Sequence, residues 1–339
     1  MALRVAVAGL GHRGTVWARL IQTTPGLELV ALADVSPAAL SRATSRLGLD
    51  AARSYEDVDR ALSEANPDAL VVATPPDLHV APCEAALARR VALLVEKPFT
   101  CRLDEAHRLV LAAEAANVPL LVAQNYRYLR VHRTVRQVIR SGRLGQVGLV
   151  VGQYYRVPHP LPPSLARLPH VVLWGMAVHH LDALRFVLGR EATGAIAESF
   201  NVPWRSRPDG ATFQALLRFK SGIRALYSAT YESSGHEYFE RGQEFYQRVV
   251  GERGTLHVFH RWLVLCERGK LPRLVRRGPR PEPEESILLR QLERAAVAGE
   301  PAECNGRDNL QTVALVEACL RSLTERRWIN PQELLRELD

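Results

Sequence analysis

Residues 3–34 read LRVAVAGLGHRGTVWARLIQTTPGLELVALAD. The first six, Leu3 to Ala8, form a run that is apolar but for Arg4 and stops at Gly9-Leu10-Gly11-His12-Arg13-Gly14. Beyond the glycines, Trp17, Leu20 and Ile21 recur at helical spacing, and a second apolar run from Leu27 to Ala33 ends at Asp34. The order is therefore strand, tight turn, helix, strand. Each glycine serves that order: Gly9 permits the turn, Gly11 lets the main chain approach a pyrophosphate, and Gly14 lets the helix sit close on the strand. The helix N-terminus offers amides and a partial positive charge to the same group. His12 and Arg13 lie in the turn, where Arg13 either reaches a phosphate or faces solvent. Asp34 stands twenty residues after Gly14. A carboxylate there accepts from a ribose 2′-hydroxyl and repels a 2′-phosphate, which favours NAD over NADP; capping the helix that begins near Pro37 is the alternative. A glycine turn alone is weak evidence, but the flanking strand, helix and acid make this one specific.

The alternation continues outward. Helices are expected over Ser36 to Leu47, Glu56 to Ala65, His79 to Arg89 and Leu103 to Ala116, with strands over Ala69 to Ala73, Val91 to Val95 and Pro119 to Ala123. Strands alternating with helices imply a doubly wound parallel sheet, an α/β fold whose ligands bind outside the carboxyl ends of the strands. Thr74-Pro75-Pro76, Glu96-Lys97-Pro98 and Gln124-Asn125-Tyr126 all fall on that rim. His79 opens a helix beside it, with either a cofactor contact or a packing role.

The pattern changes near residue 124, giving a dinucleotide-binding domain over 1–124 and a second domain over 125–339. After a helix from about His132 to Arg140, strands are expected at Val147 to Val157, at Phe213 to Phe219 and Ile223 to Tyr231 as a hairpin around Lys220-Ser221-Gly222, and at Phe245 to Val250, Leu256 to Phe259 and Trp262 to Cys266. The second sheet is largely antiparallel on this reading. Two long helices, Ser286 to Ala298 and Asp308 to Glu325, follow and pack back on one of the two sheets. Between the strands lies VVLWGMAVHHLDALRFVLG, residues 171–189, read as a helix that carries His179 and Asp182 on one face. A histidine beside a carboxylate on an apolar helix is a candidate acid/base pair, or a satisfied core group. His170, His179 and His180 lack the i, i+4 pairing of a helical zinc motif, so no metal is expected.

Composition narrows the function classes. In 339 residues, 47% hydrophobic and 24% charged, there is material for two packed domains. The net charge of +8 suggests a nucleic-acid partner only until the distribution is examined. The one dense basic stretch, Lys270 to Arg280, is broken by Pro272 and Pro279 and lacks interleaved aromatics, so neither nucleic acid nor membrane is expected as a partner. Only Lys97, Lys220 and Lys270 are lysines. Arginine stays protonated, whereas a desolvated lysine sheds its proton, so Lys97 at the end of an apolar strand points to proton chemistry. Five cysteines without metal-like spacing fit a cytoplasmic protein.

These residues together resemble the glucose-fructose oxidoreductase and inositol dehydrogenase family, Gfo/Idh/MocA, over essentially the whole chain. The resemblance rests on the glycine turn, Ala33-Asp34, Ala73-Thr74-Pro75 with His79, Glu96-Lys97-Pro98, Asn125-Tyr126-Arg127-Tyr128, and His179-His180-Leu181-Asp182 followed by Gly189. It implies a Rossmann domain plus an α/β domain whose open, mostly antiparallel sheet often mediates oligomerisation, here a homodimer or homotetramer. It also implies hydride exchange between nicotinamide and a sugar, polyol or related hydroxy compound. In that scheme Lys97 is the acid/base and His179 assists; Gly9, Gly11, His12, Arg13, Gly14, Asp34, Thr74, Pro75, His79, Glu96 and Asn125 face the cofactor; Tyr128, His159 and Asp182 join Lys97 and His179 at the substrate. One departure stands out: where the family usually carries an aspartate, four residues before the histidine, this chain has Gly175. Reduced catalysis and a sensor role are the alternative that Gly175 raises. A Gly175→Asp exchange is then expected to create activity from a silent background.

Overall fold

Six parallel strands assemble in the N-terminal part of the computed structural model, which describes residues 2–204, 210–234, 246–259, 262–278 and 282–338. The elements follow as β1 (Leu3–Ala8), α1 (His12–Thr23), β2 (Leu27–Ala33), α2 (Pro37–Leu47), β3 (Ser54–Tyr55), α3 (Val58–Ala65), β4 (Ala69–Val72), α4 (Val80–Ala88), β5 (Ala92–Val95), α5 (Leu103–Ala116) and β6 (Leu120–Val122). Their order across the sheet is β3-β2-β1-β4-β5-β6, so the winding reverses between β1 and β4. Strands β4 and β5 are buried at every residue, as expected where helices cover both faces of a parallel sheet. Local signals set the helix ends: Ser36 accepts from the Ala39 amide and Asp57 from the Arg60 amide, while Gly48, Asn66 and Asn117 close helices in the left-handed region.

Among the described residues the second sheet has eight strands. Its part of the chain runs α6 (Arg130–Arg140), β7 (Val147–Tyr155), α7 (Pro163–Ala166), α8 (Val178–Leu188), β8 (Ala192–Phe200), β9 (Thr212–Phe219), β10 (Arg224–Thr230), β11 (Tyr246–Gly251), β12 (Gly254–Phe259), β13 (Trp262–Glu267) and β14 (Arg273–Leu274). The order is β14-β13-β12-β11-β7-β10-β9-β8, antiparallel throughout except that β7 and β10 run parallel. One face carries α8, whose His180 meets the Tyr227 hydroxyl of β10 at 2.6 Å. The other face bears Leu149, Leu216 and Leu226, all more than 40% exposed, with Leu216 and Leu226 paired across β9 and β10.

Later the chain forms α9 (Glu284–Ala298), α10 (Gly306–Glu325) and α11 (Pro331–Arg336). Two compact units result: Met1–Asn125 with Glu282–Val313, and Tyr126–Pro281 with Ala314–Asp339. Compactness thus places Glu282–Val313 with the parallel sheet, whereas a single cut at residue 124 leaves it in the second domain. Helix α9 packs against α1 and β5, its Leu288, Leu289 and Leu292 are fully buried, and the Val122 amide donates to the Cys304 carbonyl at 2.8 Å beside β6.

Two other details depart from the sequence reading. Strand β8 has no counterpart in it, because ATGAIAESF lacks the β-branched and aromatic density of its neighbours. The single helix expected over residues 171–189 is a π turn at Leu173–Ala177 followed by α8 from Val178. Gly175 lies inside that turn, where its weak helix propensity, about 1 kcal/mol below alanine, favours such a break. Phe245 and the far end of the basic loop, residues 279–281, lie outside the described residues.

Candidate active site

In the first unit the glycine turn does what its spacing requires. Gly9 has φ +86°, and a β-carbon on it would strike the Ala73–Thr74 backbone. A β-carbon on Gly14 would run into the Gly9 carbonyl. Around Gly11 there is open space, and Gly11 caps α1 without a side-chain bond, so nothing on the turn fills the place where a pyrophosphate would meet the first amides. The site therefore fits a dinucleotide. Asp34 joins turn to strand end: its Oδ2 accepts from the Leu10 amide at 2.6 Å and its Oδ1 from the Ser36 amide at 2.9 Å. The N-cap of α2 is Ser36, not Asp34. His12 is exposed.

The rim beyond the turn is knit by carboxylates. Arg13 donates through Nε to Glu96 Oε1 at 2.6 Å and through Nη1 to Glu285 Oε1 at 3.1 Å. The guanidinium, half-exposed, bridges two acids. Glu96 also accepts from Trp17 Nε1 at 2.8 Å, and Asn125 donates to Glu285 at 3.3 Å. Thr74 Oγ1 donates to the Leu78 carbonyl at 3.1 Å, beside Pro75. His79 is fully buried, with Nε2 2.9 Å from the Thr74 carbonyl and Nδ1 3.0 Å from the Phe99 carbonyl. Its ring ties the loops after β4 and β5, which is the packing role that the sequence left open beside a cofactor contact.

Lys97 closes β5, and its bond to Pro98 is cis. The surrounding protein pushes its ammonium down to about 8; the Glu96 charge opposes that fall and the Arg13 charge adds to it. Near neutrality such an amine exchanges its proton readily, which an unperturbed lysine does not. Two of its neighbours in the ion-pair network thus act on its proton affinity in opposite senses.

In the second unit His179 sits in the first turn of α8, and the Tyr126 ring stacks on it at 4.0 Å and 13°. Tyr126, placed on the rim by its sequence but not singled out, is the neighbour that fixes the imidazole plane. Asp182, which the resemblance assigns to the substrate, is held by arginines in the interior. Its carboxylate is completely buried, accepts from Arg127 Nε and Nη2 at 2.6 Å each, and lies 3.5 Å from Arg185 Nη1. A carboxylate enclosed by two arginines serves as a structural anchor. Tyr128 is buried too, with the Arg133 guanidinium 4.7 Å over its ring, and so supports the core. His159 keeps partial exposure and meets Tyr231 edge-on at 5.0 Å. Trp174 is buried, in keeping with a packing role. A β-carbon on Gly175 would lie 2.5 Å from the Tyr231 hydroxyl and 3.0 Å from Leu165 Cδ2. The space beside Gly175 is occupied, by a residue 56 positions later in the chain.

A doubly wound sheet with this glycine turn and a low-pKa lysine on its rim is the framework of a Rossmann-type oxidoreductase. The comparisons with known proteins agree. The model described as oxidoreductase family, NAD-binding Rossmann fold matches residues 3–124, and that of the GFO/IDH/MocA C-terminal domain matches residues 132–257. The chain belongs to the Gfo/Idh/MocA family and is an enzyme of the oxidoreductase class with an NAD-binding domain. It is similar to D-apiose dehydrogenase of Paraburkholderia graminis, 29% identical over 91% of this chain and 84% of that protein, and to myo-inositol 2-dehydrogenase of Thermotoga maritima, 24% identical over 98% and 100%. The crystal structure of an Agrobacterium radiobacter oxidoreductase in complex with NAD+, L-tartaric acid and magnesium superposes with a TM-score of 0.88 at 24% identity, covering 98% of this chain and 100% of that one; the likeness is one of fold. Among the described residues no helix is long and apolar enough to cross a membrane, and no group of three His, Cys, Asp or Glu side chains is placed to hold a metal.

Proposed function

We propose that this enzyme exchanges a hydride between nicotinamide and a hydroxyl or keto carbon of a sugar, polyol or related compound, using NAD in preference to NADP. The observation that carries the reading is Lys97, held at about 8 on a rim tied to the glycine turn through the 2.6 Å Arg13–Glu96 pair. Bound nicotinamide supplies the hydride acceptor or donor. Lys97 Nζ takes the proton of the substrate hydroxyl during oxidation and returns it during reduction, because a hydroxyl carbon yields hydride only as its oxygen loses the proton. In the second unit, His179, its plane held by Tyr126, and His159 are the side chains assigned to the substrate. Gly9, Gly11 and Gly14 shape the pyrophosphate seat, Asp34 meets the adenosine ribose, and His12, Thr74, Pro75 and Asn125 complete the cofactor side. Glu96 and Arg13 set the proton affinity of Lys97.

The purified protein, offered a panel of polyols and aldoses with NAD and with NADP, is expected to form reduced cofactor from NAD with at least one of them. A protein that binds NADH tightly and turns over none of the panel is a sensor, and the enzymatic reading is then wrong. For the assembly we propose a homodimer or homotetramer, a reading supported by the exposed sheet face, in which Leu149, Leu216 and Leu226 would bury against the same face of another copy. Sedimentation of Leu216→Arg as monomer, against an oligomeric wild type, checks it.

A further inference from the structure

Residue 175 and His179 are four apart, so they share one face across the π turn, with neighbouring side-chain positions on the order of 6 Å apart. Glycine leaves the first of these positions without a side chain. The Tyr231 hydroxyl fills it, 2.5 Å from where a β-carbon would stand. Tyr231 comes from just beyond the end of β10 and is buried, with its ring edge-on to His159 at 5.0 Å and 90° and to Tyr154 at 6.4 Å and 78°. The phenol is thus brought through a tyrosine-histidine cluster to the helix face that carries the candidate acid/base histidine. Any side chain at 175 would displace it, so Gly175 and Tyr231 form one device.

We propose that Tyr231 is a substrate-positioning residue: its hydroxyl hydrogen-bonds a substrate hydroxyl next to the reacting carbon, and Gly175 exists to admit it. This rests on the oxidoreductase reading above. A phenol both donates and accepts, as a polyol hydroxyl does, and it carries no charge near neutrality; it therefore matches a vicinal diol in either role. A carboxylate in the same place would accept only. Gly175→Asp is consequently expected to lower activity by expelling the phenol, contrary to what the glycine alone suggests.

The test uses the full-length enzyme with a polyol that it oxidises and the matching analogue deoxygenated at the adjacent carbon. Wild type is expected to prefer the polyol in kcat/KM by about tenfold or more, the loss typical when one substrate hydrogen bond is removed. Tyr231→Phe should raise KM for the polyol about tenfold with kcat little changed, treat the two compounds alike, and bind NADH as wild type does. Gly175→Ala should act in the same direction, and the double variant should be little worse than either, because both changes remove one interaction. Should Gly175→Ala fail to fold, the Tyr231→Phe constants decide alone. A Tyr231→Phe enzyme that still discriminates the two compounds as wild type does overturns the assignment while leaving the oxidoreductase reading intact. A wild type that binds NADH but oxidises nothing overturns both.

Discussion

The glycine turn after β1 and the π turn before α8 each centre on a glycine, yet only the first could be interpreted from sequence. Gly9 and Gly14 are required by the main chain itself: Gly9 by a positive φ, and Gly14 by a helix packed against the carbonyl of Gly9 five positions earlier. Gly175 is required by a side chain that arrives from Tyr231. A local constraint writes itself into spacing, whereas a convergent one leaves no periodic trace. Read alone, Gly175 resembles a missing part; in the fold it is an accommodated one.

The comparison breaks most readily at Gly14. Gly14→Ala must push its β-carbon into the Gly9 carbonyl, and NADH binding measured by fluorescence is expected to fall by a hundredfold or more, with loss of structure in circular dichroism. Gly11→Ala is the contrast: with open space around it, the melting temperature should hold while NADH binds about tenfold more weakly, since only the approach of phosphate is lost. Lys97→Met should cost 10²–10⁴-fold in kcat with NADH affinity retained. In wild type, kcat/KM for oxidation should rise with pH through about 8, because the neutral amine is the base, and reduction should fall over the same range. Arg13→Gln removes a charge that lowers the Lys97 value, so its profile should move to higher pH.

Smaller effects sharpen the second unit. Arg127→Met strips the buried Asp182 of its bidentate partner and is expected to cost about 3–5 kcal/mol in stability by chemical denaturation, with KM unaffected in the folded protein. His132 is buried and pushed down to about 4 by that burial, while its Nδ1 lies 2.7 Å from the Tyr126 carbonyl. Because its folded value is below the unfolded one, the folded state binds fewer protons between pH 6.5 and 4, so stability is complete above that window and declines on acidification through it. The loss should approach roughly 3 kcal/mol near pH 4. His132→Gln should flatten this slope in urea titrations over the same pH range.

Much of the first unit was legible because its parts are close in sequence or set by strand order: the alternation, the rim clusters, and Lys97 as one of three lysines. Even there, Glu285 was invisible; it lies 272 positions after Arg13 and carries no local motif. In the second unit the helix with His179 shows in its apolar pattern, but the arginine partners of Asp182 do not. A carboxylate three residues from a histidine implies a pair only when no stronger partner exists, and Arg127 and Arg185 are stronger. The run Asn125-Tyr126-Arg127-Tyr128 held the missing signal: four polar or aromatic residues at the end of a buried strand, each of which needs a partner.

The return of α9 to the parallel sheet has a bearing on how the protein is made. On the ribosome, the first 125 residues emerge with β5 and α1 lacking Leu288, Leu289 and Leu292, which cannot arrive until more than 150 further residues have been added. Through most of translation the nascent Rossmann half therefore presents an uncovered apolar surface and an Arg13 without Glu285. A gene fragment cut at the natural-looking boundary of residue 125 would inherit that state permanently, and would be a poor starting point for grafting the cofactor module onto another enzyme.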